Sequence, residues 1–166
     1  MIKVSHSPDQ AGYFRWLIAR MLFSKSFGYA VRGILYVATM SNEHRRVPID
    51  EISDRLSVPR HFLGKIMNKV AKEGILNSTK GPNGGFELND VTLTTPLLAL
   101  LESINGLSQF NECVLRLKTC NAKHPCPLHN GIQGYKADLL DFFSRTDIGS
   151  LIKENEPDFI KTISAA

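Results

Sequence analysis

Hydrophobic positions in the front half of the chain recur at helical spacing. From Ser26 to Met40, the residues Phe27, Ala30, Val31, Ile34, Leu35 and Ala38 fall three or four apart, which predicts a core-facing helix. Ser41 to Arg46 interrupts the pattern as a polar connection. Pro48 and Asp50 open a short helix carrying Ile49, Ile52 and Leu56, with acids in its first turn where the helix dipole favours them. Ser57-Val58 is a tight break. Pro59 then begins a further helix to about Glu73, closed by Gly74 at the position that favours a left-handed residue. In that helix Phe62, Leu63, Ile66, Met67 and Val70 form the predicted buried stripe. Arg60, His61, Gly64, Lys65, Asn68 and Lys72 fall on the other side, so the pair reads as a helix-turn-helix with a polar, basic outer face.

The period then changes. Ile75 to Thr79 reads as a strand, Lys80 to Gly85 as a hairpin tip and Phe86 to Leu88 as the return strand. A hairpin directly after a recognition helix is the wing of a winged helix, and Lys80 at its base would reach a phosphate or a narrow minor groove. Thr94 or Thr95 caps a helix opened by Pro96, with Leu97, Leu98, Leu100, Leu101 and Ile104 in its core stripe and Gly106 at its end. Gly131 to Gly134 leads into a long helix with Ile132, Tyr135, Leu139, Phe142 and Phe143 on one face. An aromatic stripe outside the winged-helix core points to a subunit contact. Ile148 to Glu154 gives a last short helix.

The predicted fold class is therefore mainly α with a small β-hairpin wing: a winged helix-turn-helix domain plus a long C-terminal dimerisation helix. The expected division is an extension over 1–20, the DNA-binding domain over 21–106, a cysteine-rich loop over 107–131, the dimerisation region over 132–155 and a polar tail over 156–166. A chain of 166 residues can bury a core without staples, and no apolar run approaches the ~18–20 residues of a membrane helix. Charge sharpens the functional reading. Residues 1–90 carry 13 Lys+Arg against 8 Asp+Glu, whereas residues 91–166 carry 7 against 8, so the positive excess sits in the half that would meet a polyanion. Lys25, Lys65, Lys72 and Lys80 with Arg60 are the candidate phosphate contacts. A merely solvated basic surface is the plainer reading of the same residues.

All three cysteines fall within fourteen positions: Cys113, Cys120 and Cys126. An odd number cannot form a closed disulfide set, and the apolar stretch Trp16 to Ala19 is too short for a secretory signal, so a reducing cytoplasm is the expected setting. The same loop holds His124 and His129 beside Pro125 and Pro127. Thiolates with an imidazole suit soft metals and iron–sulfur clusters, and zinc would tolerate a set of three cysteines and one histidine. Gaps of six and five residues differ from the close pairs of structural zinc. No orienting acid or oxyanion feature accompanies the thiols, so an enzyme is not expected. His129 follows Cys126 by three positions, so a helical turn beginning at Pro127 would aim both at one point. His124 precedes Pro125 in an extended stretch that also allows a shared side.

Taken together, Ser24-Lys25, Gly28-Tyr29-Ala30-Val31-Arg32, the helix pair Ile49 to Glu73, the wing Lys80-Gly81-Pro82-Asn83-Gly84-Gly85-Phe86 and the cysteine loop resemble the Rrf2 family of bacterial transcription regulators. The resemblance covers about residues 21–155. It implies a homodimer on a palindromic double-stranded operator, switched by a cluster between its domains that senses redox, nitric oxide or iron–sulfur status. The family's cysteine ligands match Cys113, Cys120 and Cys126, and a fourth, histidine ligand matches His129. Some members take an aspartate from the first helix of the other subunit, where this chain has Gly28. That departure favours a 2Fe-2S cluster, while a longer first gap between cysteines leaves 4Fe-4S open. The family's base-contacting positions fall on Pro59, His61 and Gly64. Two of these lack a polar side chain, so Arg60, His61, Lys65 and Asn68 are the expected readers, with Lys80 in place of the wing arginine. Two other readings stand beside this one: a cluster-free regulator whose thiols sense oxidants directly, and a zinc-stabilised interaction protein that does not bind DNA.

Overall fold

A computed structural model describes residues 23–40, 46–113, 115, 117 and 122–153. The predicted extension, most of the polar connection before Arg46, Cys120 and the tail lie outside the described residues. The first apolar stripe forms α1 (Lys25–Met40), which buries Phe27, Ala30, Ile34, Leu35, Tyr36, Val37 and Ala38. Pro48, in extended geometry, precedes α2 (Ile49–Leu56), and Pro59 precedes α3 (Arg60–Lys72). Between them Ser57 takes φ 52, and its N–H and that of Val58 bond back to Asp54 and Ser53, so three residues turn the chain. Val58 is buried in that turn and ties it to the core.

Helices α2 and α3 pack on α1 and on each other. Met67 reaches α1 at Gly33, where even a Cβ atom would stand 2.6 Å from its sulfur. Two polar bonds fix α2 on the same helix. Tyr36 Oη donates to Glu51 Oε1 at 2.8 Å, and Arg32 Nη2 donates to the Leu56 carbonyl at 3.0 Å. Burial raises the Tyr36 hydroxyl above its ordinary pKa, reinforced by Glu51. Burial holds the Arg32 guanidinium below its own, partly offset by Tyr29. Phe62 departs from the predicted stripe. It is 40% exposed and meets Tyr29 edge-on, because the core side of α3 is already filled by Leu63, Ile66, Met67 and Val70.

Gly74, with φ 78, ends α3 as expected. The wing is β1 (Asn77–Thr79) paired antiparallel with β2 (Gly85–Glu87), Ser78 opposite Phe86. Its first strand is shorter than predicted. The Ile75 N–H bonds to the Val70 carbonyl and the Ile75 carbonyl accepts from Thr92, so neither group is left for a ladder. Val47 adds a bridge to Phe86 on the other edge, and this close pass requires Gly85, since a Cβ there would meet the Val47 carbonyl at 2.6 Å.

A clamp at the base of the wing was not visible in the sequence. Asn89 Nδ2 donates to the Gly74 carbonyl at 2.7 Å, and Asn89 Oδ1 accepts from the N–H groups of Val91 and Thr92. The buried Thr92 hydroxyl donates to the Ile75 carbonyl at 2.7 Å.

Past the wing, α4 (Leu97–Asn105) is entered through Pro96 itself and has no side-chain cap. Thr94 and Thr95 instead donate their hydroxyls to the Val91 carbonyl. A short α5 (Ser108–Asn111) buries Phe110. The long helix α6 (His129–Arg145) starts before the predicted glycines, so Gly131 and Gly134 lie in its first turns. Its aromatic stripe splits. Leu139 and Phe143 pack against the core, with the Phe143 ring 5.0 Å from Phe23, while Tyr135 and Phe142 are more than half exposed. Helix α7 (Ile148–Lys153) closes the described chain, its Ile148 N–H bonded to the Thr95 carbonyl ahead of α4.

Candidate nucleic-acid interface and cysteine cleft

The outer face of α3 and the wing enclose an open groove of about 520 Å³. Arg60, His61, Gly64, Lys65 and Asn68 line it from the helix, because i, i+1, i+4, i+5 and i+8 share one side of a helix. Ser78, Thr79, Lys80 and the glycine-rich tip line it from the wing. The exposed Ser78 and Thr79 of β1 add hydroxyl groups that the helical pattern does not signal. Five of the seven predicted DNA contacts therefore meet in one place: Arg60, His61, Lys65, Asn68 and Lys80; Lys72, exposed in the last turn of α3, does not line the groove. Lys25 does not line it; it is exposed in the first turn of α1, next to Ser24, which bonds Asn105 at the end of α4. The groove also contains Asp50 from α2, bonded to Arg60. The sequence marks this acid only as a first-turn helix residue, since a pair ten positions apart has no local signature.

The groove combines basic groups with amide and hydroxyl groups on a protruding helix and hairpin. Such a surface can contact phosphates with its lysines and base edges with its amide, imidazole and guanidinium groups. These features define a winged-helix DNA-binding protein.

A second, narrow cleft of about 10 Å³ lies at the start of α6. Cys113, Cys126 and His129 line it with Glu112, Ile132 and Lys136. Its geometry begins with one turn: the His129 N–H bonds to the Cys126 carbonyl at 2.9 Å, which carries both residues to the same side. His124 is exposed and does not line the cleft. Cys113 and Cys126 are both partly buried, and Cys120 lies outside the described residues. Lys136 is the unanticipated member. It is buried on α6, and its ammonium donates to the Glu112 carbonyl at 2.7 Å, immediately before Cys113. Among the described residues no three His, Cys, Asp or Glu side chains are gathered closely enough to hold a metal ion. Two thiols and an imidazole nevertheless form a donor set suited to a soft metal or an iron–sulfur centre. The cleft has room for about one water-sized sphere.

Residues 23–154 match the Rrf2 family, described as iron-dependent transcriptional regulators, and the chain belongs to that family. An HTH-type transcriptional regulator of Aquifex aeolicus is 33% identical over 138 residues, covering 82% of this chain and 94% of its own. The HTH-type transcriptional regulator IscR of Vibrio campbellii is 28% identical over 132 residues, covering 77% and 75%. Among solved structures, CymR, the global cysteine regulator of B. subtilis, superimposes with a TM-score of 0.64 at 13% identity, over 81% of this chain and 98% of its own. These relatives are transcription regulators and not enzymes. The protein is accordingly a DNA-binding transcription regulator with a winged helix-turn-helix fold. No described helix is long and apolar enough to cross a membrane.

Proposed function

We propose that this regulator acts as a homodimer on a palindromic operator and is switched by an iron–sulfur cluster held by Cys113, Cys120, Cys126 and His129. The observation that carries the reading is the cleft shared by Cys113, Cys126 and His129, while His124 points elsewhere. The family's description as iron-dependent and the IscR relatives support it. The cluster supplies a centre that oxidants or nitric oxide can alter, and Gly28 in place of an aspartate favours the 2Fe-2S form. The four donors lie on the chain between Glu112 and the first turn of α6. This same segment connects the DNA-binding core to α6, whose exposed Tyr135 and Phe142 fit a subunit contact. Loop conformation thereby sets the separation of two recognition helices, which must meet half-sites about 34 Å apart.

The test is the ultraviolet–visible spectrum of anaerobically purified protein with iron and sulfide analysis. A red-brown protein with equal iron and sulfide supports the proposal. Colourless protein without iron, whose operator affinity falls on oxidation and returns with a thiol reductant, supports a second reading in which the cysteines are the sensor. Two partly buried thiols facing one narrow cleft favour that reading.

A further inference from the structure

Asp50 is the one acid among the described residues that line the DNA groove. It stands in the first turn of α2, and Arg60 opens α3. Arg60 Nε donates to Asp50 Oδ1, and both side chains remain well exposed at the groove wall, at 64% and 63%. A carboxylate is an unfavourable group to place where a polyanion docks, because it repels each approaching phosphate. Exposed ion pairs also add little to stability, so folding gives slight reason for the pair.

Its effect on Arg60 is more specific. A free arginine side chain explores many rotamers, whereas a bond at Nε fixes the guanidinium plane. With Nε occupied, the terminal Nη groups are the donors left to face the groove. Two such donors match O6 and N7 on the major-groove edge of guanine. The pair as a whole carries no net charge, so it gains little from a phosphate. Lys65 and Lys80 line the same groove and bring the positive charge that phosphates require.

We propose that Asp50 is a positioning residue that makes Arg60 a reader of guanine in place of a phosphate contact. The proposal rests on the DNA-binding reading of the groove. It is tested with anaerobically purified full-length protein and the variants Asp50→Ala, Arg60→Ala and the two combined. Each protein enriches a pool of randomised duplex DNA. Fluorescence anisotropy then measures its affinity for the enriched duplex, for single-base replacements and for unrelated duplex, with circular dichroism melts checking the fold. The wild type is expected to enrich a guanine whose replacement costs about tenfold or more in affinity. Asp50→Ala, which removes both the charge and the acceptor, loses most of that ratio while binding unrelated duplex at least as tightly as the wild type. Arg60→Ala removes the same preference, and adding Asp50→Ala to it changes the preference no further. Retention of the wild-type ratio by folded Asp50→Ala overturns the proposal, as does a uniform loss across all duplexes in Arg60→Ala with base preferences intact. A wild type that enriches duplexes without that guanine overturns the proposal alone. A wild type that retains no duplex even at low salt overturns the DNA-binding reading itself.

Discussion

The DNA groove and the cysteine cleft are both lined from an α-helix, yet their opposite walls are built differently. Across the groove from α3 stands a paired hairpin, held by ladder bonds to Val47 and by the Asn89–Thr92 clamp. Across the cleft from α6 stands chain containing Pro125 and Pro127, and Lys136 of the helix bonds to the Glu112 carbonyl at its near end. Backbone groups that are satisfied internally hold a surface ready for its ligand. The two walls therefore differ in what they present: one offers a hydrogen-bonded hairpin beside a basic helix, and the other offers thiol and imidazole donors.

The contrast yields several tests. The largest effect is expected at the cleft, where His129→Ala or Cys126→Ala should leave anaerobically purified protein with little or no iron. His124→Ala should keep its iron content and spectrum; the opposite result for the two histidines would move the fourth ligand to His124. At the groove, a dimer making about six to ten phosphate contacts should lose roughly 10³–10⁵ in affinity between 50 and 200 mM salt. A flat profile in anisotropy titrations would reduce the basic face to solvated charge.

A smaller change is expected when the groove is altered residue by residue. Lys80→Ala should weaken binding to all duplexes together and make the salt slope shallower by about one for each lost phosphate contact. His61→Ala should instead change the ranking of duplexes, by about 1–3 kcal/mol at one base position. Equal weakening of every duplex by both variants would make His61 a phosphate contact. The smallest effect belongs to Lys136→Met, which keeps the packing of the side chain and removes its bond to Glu112. About 1 kcal/mol of stability should be lost in chemical denaturation, with faster amide exchange near Cys113. Unchanged exchange there would mean that the lysine does not restrain the loop.

Much of the groove was legible because its determinants are local. Pro48, Pro59 and Gly74 mark helix ends through their own backbone preferences, and the polar face of α3 follows from its period. The cysteine and histidine spacing likewise indicated the turn that joins Cys126 to His129. What was not legible depends on partners distant in the chain. Ile75 reads as a strand residue until Thr92 and Val70 claim its backbone groups, and Phe62 reads as core until the stripe beside it has filled the space. The sequence puts Gly131 to Gly134 ahead of the long helix, yet α6 begins at His129 and takes both glycines into exposed turns, where each costs only about 1 kcal/mol relative to alanine. Asp50 carries no sign of its arginine, since that pairing arises only from the crossing of α2 and α3.

The Asn89–Thr92 clamp gives the groove a fixed gauge. By joining the foot of the wing to the carbonyls of Gly74 and Ile75, it makes hairpin and recognition helix a single caliper. A caliper set before it meets its object gives up little conformational freedom on closing. It also favours duplexes whose groove widths already suit its span over those that must be deformed to fit. Sequence preference in this regulator thus begins one step before any base is touched, in the shape of the DNA that its jaws accept.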